Sequence, residues 1–387
     1  MDLPLFAAVD SAALGLAPPS PRHGLAVRAW VRSLAGMQKE ALVATTLGGH
    51  AWRLTSDEGP YLAGHDRAPC PLAFMTAGMA ASYLDEIVDL FVTRAVTVDD
   101  LRLTLDNRYT MEGSALRGTM VGGALDPALH VELEAADNAR HLRELVELAV
   151  RRAPVNGLLR GVHRSRFTLA VNGRHVPVGR VDSLGGQPEP DPLRRFGSLV
   201  DHVVGPGGES IVRLTPAEEV HDAPGGVGSS LKAEQSRTLH VRGVCTRRPD
   251  GVKEIEQDLL APIGSTFRFL SDEPAGHGGQ GRAPDAATYL AAGIAFCFMT
   301  QCGRYAAIVR KQLDAYRVVQ ELHLSSPHAT DGPTADPVET HVHLDTPEGE
   351  AFGRDVLDMG EQTCFLHAAC RSQLDTEVSV SGRPVAR

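Results

Sequence analysis

Two groups of residues in this chain have the types and spacing to do chemistry. The first is a thiol, Cys297, near the middle of the apolar stretch YLAAGIAFCFMTQC at residues 289–302. A cysteine thiolate is a nucleophile and a soft-metal ligand, yet free cysteine is also among the most buried residue types and packs as a small hydrophobe. The second group is Cys364, His367 and Cys370, spaced C-x2-H-x2-C on a helical pattern. At about 100° per residue these three drift over an arc of about 120°. They could converge with Cys297 or His323 around zinc or iron, which thiolate and imidazole suit. The spacing is not a familiar zinc signature, so a metal on Cys364, His367 and Cys370 is the minor alternative and no cofactor is expected. Cys302 lies five residues past Cys297, about 140° round the helix, and does not share its face. Cys70 and Cys245 fall in a loop and a strand without a visible partner. His341 and His343, in THVHLD, alternate along a strand and share one face, with no third ligand nearby in sequence; they read as a half-exposed strand. GHGGQG, at 276–281, lacks the phosphate-loop form and reads as a flexible loop.

The elements that must position these residues occur twice. FMTAGMAASYLDEI, at 74–87, is a relative of the Cys297 stretch with Ser82 where the thiol would be. WRLTSDEGP matches FRFLSDEPA, and RAPCPLAF matches RAPDAATY; Trp52 and Phe267, Arg67 and Arg282, and Gly78 and Gly293 are each 215 positions apart. Upstream, Leu25 and Leu239 are 214 apart, and downstream Ala153 and Cys364 are 211 apart. So small a drift over so long a stretch means one domain written twice with small insertions, not a short-period solenoid. Each half reads as alternating strands, a Gly- and Pro-rich loop, a long small-residue helix (about 71–95 and 285–313), more strands, a second helix and a closing strand. Such segregation indicates α+β. The Pro-, Gly- and Ser-rich stretches between the halves read as a linker, with IVRLTP as an added edge strand.

Bulk properties narrow the classes. The chain of 387 residues is long for one core, and 43% hydrophobic with 22% charged residues is globular. No run of 18 apolar residues argues for a membrane span. The N-terminal stretch carries Asp2 and Asp10 without a basic region and reads as a loosely held arm, not a signal peptide. A formal charge of −10 with scattered arginines leaves no basic footprint for nucleic acid. Six irregularly spaced cysteines point to reduced thiols and a cytoplasmic location.

The run SDEPAGHGGQGRAPDAATYLAAGIAFCF, residues 271–298, resembles the OsmC/Ohr family of osmotically inducible and organic hydroperoxide resistance proteins. It shares the Asp-Glu-Pro turn, the Gly-Gly loop and the Pro-led small-residue helix carrying the first cysteine. Cys364 falls where the family's second cysteine opens the last helix, with Phe365 replacing the usual proline. The resemblance covers roughly residues 25–175 and 235–387. Because family members are intertwined homodimers, it implies two tandem OsmC-like domains forming an intramolecular pseudo-dimer, with antiparallel sheets around central helices. The boundaries expected are 1–185 for a domain with a degenerate site (Ser82 and Ala153), 186–230 for a linker, and 231–387 for the domain with the cysteine pair.

The resemblance further implies a thiol-dependent peroxidase acting on organic hydroperoxides, with Cys297 peroxidatic, Cys364 resolving and a small dithiol as reductant. The family's supporting glutamate is replaced by about Thr288, so Asp272 and Glu273 are the candidate acids. Arg282, Arg268 and Arg53 are the candidate cations, and none is preferred. The alternative is an OsmC-like cysteine nucleophile for thiol transfer or hydrolysis, or a binder of a small hydrophobic or electrophilic molecule, with His367 or His323 as base. No nucleic-acid or membrane partner is expected, and further oligomerisation is left open.

Overall fold

The computed structural model describes residues 6–135, 138–197, 199–204, 210–215, 230–329 and 332–384. In the first half the chain runs β1 (Ala7–Val9), β2 (Gly24–Ser33), β3 (Lys39–Thr45), β4 (Ala51–Ser56), α1 (Pro71–Thr93), β5 (Val98–Ser114), β6 (Val121–Ala124) and β7 (Ala128–Ala135). There follow α2 (Ala139–Arg152), α3 (Val155–Arg160), β8 (Arg166–Val171), β9 (Arg174–Val176) and β10 (Asp182–Ser183). Between the halves lie β11 (Val203–Val204) and β12 (Val212–Thr215). The second half repeats the order as β13 (Glu234–Arg247), β14 (Lys253–Ala261), β15 (Ile263–Ser271), α4 (Ala286–Val309), β16 (Ala315–Ser325), β17 (Glu339–Asp345), α5 (Gly349–Thr363), α6 (Phe365–Arg371) and β18 (Glu377–Pro384).

The strands form two sheets, and each draws on both halves. One runs β10-β8-β17-β16-β2-β3-β4-β1-β11, the other β12-β15-β14-β13-β5-β7-β18. The long seams are antiparallel: β2 lies on β16 from Arg32 opposite Arg317 to Gly24 opposite Ser325, and β13 lies on β5 from Glu234 opposite Ser114 to Thr246 opposite Arg102. The architecture is α+β and compatible with the resemblance read from the sequence. The sheets are mixed, however, rather than antiparallel: β8 runs parallel to β17, and β18 parallel to β7. Each of these pairs joins strands from different halves, so no tight turn has to link them and the direction is unconstrained by a hairpin.

The core sits between the sheets around α1 and α4. Helix α4 packs on β2, β3 and β16, while α1 packs on β13, β14 and β5. Gln320 Nε2 donates to the Ala291 carbonyl at 3.0 Å, and Asn107 Nδ2 to Thr76 Oγ1 at 2.9 Å, tying each helix to its sheet. The two helices cross at glycines. A Cβ on Gly293 would lie 2.9 Å from the Met75 nitrogen, and one on Gly78 2.8 Å from Leu290 Cγ and 2.9 Å from the Ala286 carbonyl oxygen. Helix α4 is long and apolar enough to cross a membrane, but 89% of that window is buried inside the protein.

Two sequence expectations change. The N-terminal segment is not a loose arm from Phe6 onward: Ala7, Ala8 and Val9 extend the first sheet beside β4, and Leu14 and Leu16 are buried. Small apolar residues there cover an edge that would otherwise leave its backbone groups unpaired. His341 and His343 are also buried, at 8% and 7% exposure, rather than half-exposed. Their face of the sheet is covered by the segment carrying Asp191, which accepts from Arg317 Nε at 2.8 Å, and Phe196, which packs with Trp30 and Val319 in a small second core. IVRLTP does supply an edge strand, β12 on β15.

Because the Gly293 contact is with backbone, Gly293→Ala forces the helices apart. Urea unfolding should show a loss of about 1–3 kcal/mol with an unchanged m-value; an unaltered midpoint would show that the crossing has slack.

Candidate active site

Helix α4 carries Cys297 to the centre of the core, where it is 2% exposed. Cys364 is brought to it by a break in the C-terminal helix. Cys364 has φ −72° and ψ 119°, ending α5 and capping α6, and its sulfur accepts from the His367 amide at 3.5 Å. Gly122 on β6 allows this break its place, since a Cβ there would stand 2.5 Å from the Thr363 carbonyl oxygen. Gln362 Nε2 adds bonds of 2.9 and 2.8 Å to the Gly118 and Met120 carbonyls of the same β5–β6 hairpin. A first-half hairpin thus braces a second-half thiol.

The Cys297 thiol is pushed well above its ordinary pKa, first by burial and next by the neighbouring Cys364 thiol; the Leu366 amide acts the other way. Both cysteines are unbridged and fully buried. Cys297 lines a cavity of about 20 Å³, enough for roughly one water-sized occupant, together with Glu58, Tyr61, Cys70, Arg237, Thr300 and Phe365.

Glu58 comes from the turn after β4, in the opposite half from Cys297. Thr300 Oγ1, one helical turn beyond the cysteine, donates to Glu58 Oε1 at 2.7 Å, and Tyr61 OH donates to Oε2 at 3.0 Å. Burial raises the Glu58 pKa, with Lys39 opposing. Lys39, wholly buried on β3, has its pKa lowered by desolvation against the pull of Glu58 and Asp57, and its ammonium donates to the Met37 carbonyl at 2.5 Å. Two arginines, Arg237 half-buried and Arg304 buried, complete the surroundings. Burial lowers Arg237 to about 10; it donates to Ser230 Oγ, and its Nε has no acceptor among the described residues. Arg304, lowered to about 9 by burial, donates to the Ser230 carbonyl at 2.6 Å and to Gln301 Oε1 at 3.2 Å.

The residues marked in the sequence divide accordingly. Cys297 and Cys364 come together. Arg282 instead pairs with Asp272 at 2.8 Å, Arg268 with Glu254 at 3.1 Å, and Arg53 with Glu40 at 2.5 Å; none lines the Cys297 cavity. Glu273 lies with Lys253 at 3.2 Å in a separate cavity beside Ser82. His367 is 1% exposed between Phe167 and Phe298, and burial lowers its pKa to about 4. Cys364, His367 and Cys370 do not bring three ligand atoms within 4.8 Å of one another. His323 points away from α4, on the opposite sheet face from Gln320; there Glu321, His323 and Glu339 do gather within 4.8 Å.

Sequence reasoning missed Glu58, Lys39 and Arg237. The repeat held the signal for two of them: Glu58 and Glu273 are 215 apart, Lys39 and Lys253 are 214 apart, and each lysine opens a strand ahead of a glutamate.

No family model matches the chain, and no curated protein matches it. Among solved structures, an OsmC-like hydroperoxide resistance protein from Jannaschia sp. CCS1 shows a weak likeness: 20% identity over 30% of this chain and 75% of that one, with a TM-score of 0.19.

Only thiolate reacts with a neutral alkylating reagent. Since the Cys297 pKa is raised above 9, its labelling rate, read by peptide mass, should climb about tenfold per pH unit up to and past pH 9. A plateau near pH 8 would contradict the burial argument.

Proposed function

We propose that this protein is a thiol-dependent peroxidase of the OsmC/Ohr kind, built as two tandem domains that pair within one chain and keep one working site. The observation that carries the reading is the adjacency of the Cys297 and Cys364 thiols at a cavity lined by Glu58 and Arg237. The equivalent positions in the first half, Ser82 and Ala153, have neither thiol. The exchange of strands between halves supports the internal pairing, with domains at 1–185 and 231–387.

In the proposed cycle the resting Cys297 is a thiol, and its proton leaves as the sulfur attacks. Glu58, hydrogen-bonded to Thr300 one turn beyond Cys297 and paired electrostatically with Lys39, is the acceptor at hand. Sulfur takes the terminal peroxide oxygen; the O–O bond breaks, and the alkoxide leaves as an alcohol on gaining a proton. The unpartnered Arg237 Nε supplies a donor for developing oxygen charge. Cys364 then attacks the sulfenic acid, forming the disulfide and releasing water. A small dithiol restores both thiols by exchange. The apolar walls, including Leu239, Leu259 and Phe365, suit the organic part of a hydroperoxide, whose entry requires the cavity of about 20 Å³ to widen. His367 is a poor base for a hydrolytic alternative, since burial lowers its pKa to about 4 and its ring is caged by aromatics.

Brief treatment of reduced protein with cumene hydroperoxide, followed by intact and peptide mass analysis, tests this. A loss of two hydrogens mapped to a Cys297–Cys364 cross-link and reversed by a dithiol is expected. Cys364→Ser should retain a trappable sulfenic acid on Cys297 and lose turnover. An unmodified Cys297, or one that only over-oxidises slowly, would remove the peroxidase reading.

A further inference from the structure

The sheet face turned away from α4 carries a buried polar cluster that the thiol chemistry does not use. On β16, Glu321 and His323 are two residues apart and share that face. The register sets Glu321 directly opposite Glu339 of β17. Like charges at opposed positions of an antiparallel pair repel, and here both residues are only 7% exposed. Glu321, His323 and Glu339 each bring one ligand atom to within 4.8 Å of the other two.

What sets this cluster apart from ordinary ion pairs is the imidazole. His323 is 1% exposed, and neither of its ring nitrogens has a hydrogen-bond partner among the described residues. Its Nε2 stands 3.9 Å from Glu321 Oε2, beyond hydrogen-bond reach. Two ligands at about 2.1 Å from a tetrahedral ion are about 3.4 Å apart, so a metal ion closes this gap with a small side-chain movement. A buried imidazole with both nitrogens unsatisfied costs free energy until something binds it. The arginines beside the cluster leave the carboxylates lone pairs for a further partner. Arg28 directs both its Nε, at 2.8 Å, and its Nη2 to Glu321 Oε1, which leaves Oε2 toward His323. Arg22 bonds Glu339 Oε1 and Oε2 at 2.8 and 2.9 Å, and its 46% exposed side chain marks the solvent side of the site. An ionised carboxylate has about four lone-pair positions, and carboxylates that ligate metals are ordinarily oriented by such outer hydrogen bonds.

The other sheet supplies an internal control. There Arg242 lies opposite Asp106 as Arg28 lies opposite Glu321, at the repeat offset of 242 − 28 = 214. Asp106 faces Ala128 where Glu321 faces Glu339, and two residues along its strand stands Arg108 in the place of His323. Asp106 accepts from Arg242 at 2.8 and 2.9 Å and bonds the His240 ring at 2.6 Å, so that arginine–carboxylate pair is complete by itself. The β16–β17 pair adds a second glutamate and an unpartnered imidazole to the same salt bridge.

We propose that Glu321, His323 and Glu339 form a binding site for a divalent ion of the zinc class. Its protein ligands are Glu321 Oε2, His323 Nε2 and one oxygen of Glu339, with water in the fourth position. One imidazole nitrogen with two carboxylate oxygens suits zinc, whereas magnesium and calcium prefer oxygen donors alone. The ion would clamp β16 to β17 by their side chains. The site shares no residue with the Cys297 cavity and stands apart from the peroxidase reading.

The test is titration of the full chain, free of any tag and stripped with EDTA, with zinc(II) by calorimetry and cobalt(II) by absorbance. Cobalt should give a visible ligand-field band without a thiolate charge-transfer band, and zinc should displace it while magnesium does not. The double variant Cys297→Ser, Cys364→Ser should bind zinc as the natural chain does. His323→Phe puts an apolar ring where an unpartnered one was buried, and it should weaken zinc by about a hundredfold or more, since loss of an outer partner alone costs 10–100-fold. Zinc should raise the thermal midpoint of the natural chain and not that of His323→Phe. No binding at millimolar zinc, binding lost with the two thiols, or binding unchanged in His323→Phe would overturn the site. Should His323→Phe fail to fold, Glu339→Gln, which removes one ligand charge, takes its place. It should weaken zinc by about tenfold or more, and an unchanged affinity would refute the assignment.

Discussion

The close crossing of α1 and α4 governs this molecule. Two helices can lie with backbone against backbone only where side chains are missing, and Gly78 and Gly293 supply that at equivalent points. Once the helices meet there, each presents its outer face to a sheet, and neither half can close a core alone. Each sheet is then stitched across the halves, β2 to β16 and β13 to β5. The middle of each helix also comes to rest against the other half's acidic turn. That is why Glu58 reaches the Cys297 side of α4 and Glu273 reaches the Ser82 side of α1.

The two cavities form an internal comparison in buried electrostatics. Both keep a strand lysine and a turn glutamate, yet the lysines shift in opposite directions. Lys39 is lowered, because desolvation outweighs Glu58 and Asp57. Lys253 suffers the same desolvation but is raised, because Asp85 and Glu273 both hold it. Asp85 stands where the thiol side has Thr300, so one residue reverses the direction in which the lysine's pKa is shifted. Thr300 leaves Glu58 and Lys39 loosely matched, each disfavoured as an ion, which suits proton transfer beside a thiol. Asp85 locks its lysine as a cation and leaves the surrounding acids in excess.

The burial of all six cysteines gives the thiol chemistry its character. Burial and Cys364 both favour the protonated form of Cys297 and outweigh the Leu366 amide, so the thiolate is not preformed. A buried, protonated nucleophile is protected from adventitious oxidation, and in the proposed cycle it reacts only with a molecule small and apolar enough to enter beside Glu58 and Arg237. The helix break at Cys364, braced by the β5–β6 hairpin, holds the second thiol ready without strain at its own backbone.

Much of the architecture could be read from the chain alone. Local periodicity marked the long helices, most strands and the closing helix, because buried faces repeat at the spacing of their own element. The constant offset disclosed the duplication, and Ser82 and Ala153 in place of cysteines separated the half with the cysteine pair from the half without it. Cys297 and Cys364 were legible as a pair through the resemblance. Only the tertiary structure decided what surrounds them. Glu58 and Lys39 lie more than two hundred residues from Cys297 and meet it across the seam between halves, so no local pattern links them. Arg282, Arg268 and Glu273 looked suitable because they were near in sequence, yet each pairs with a neighbour in its own half, Asp272, Glu254 and Lys253, away from the Cys297 cavity. Sequence carries the information that sets each element, since that depends on neighbours along the chain. Which element completes which site depends on how two halves that cannot bury their helices separately choose to share their strands.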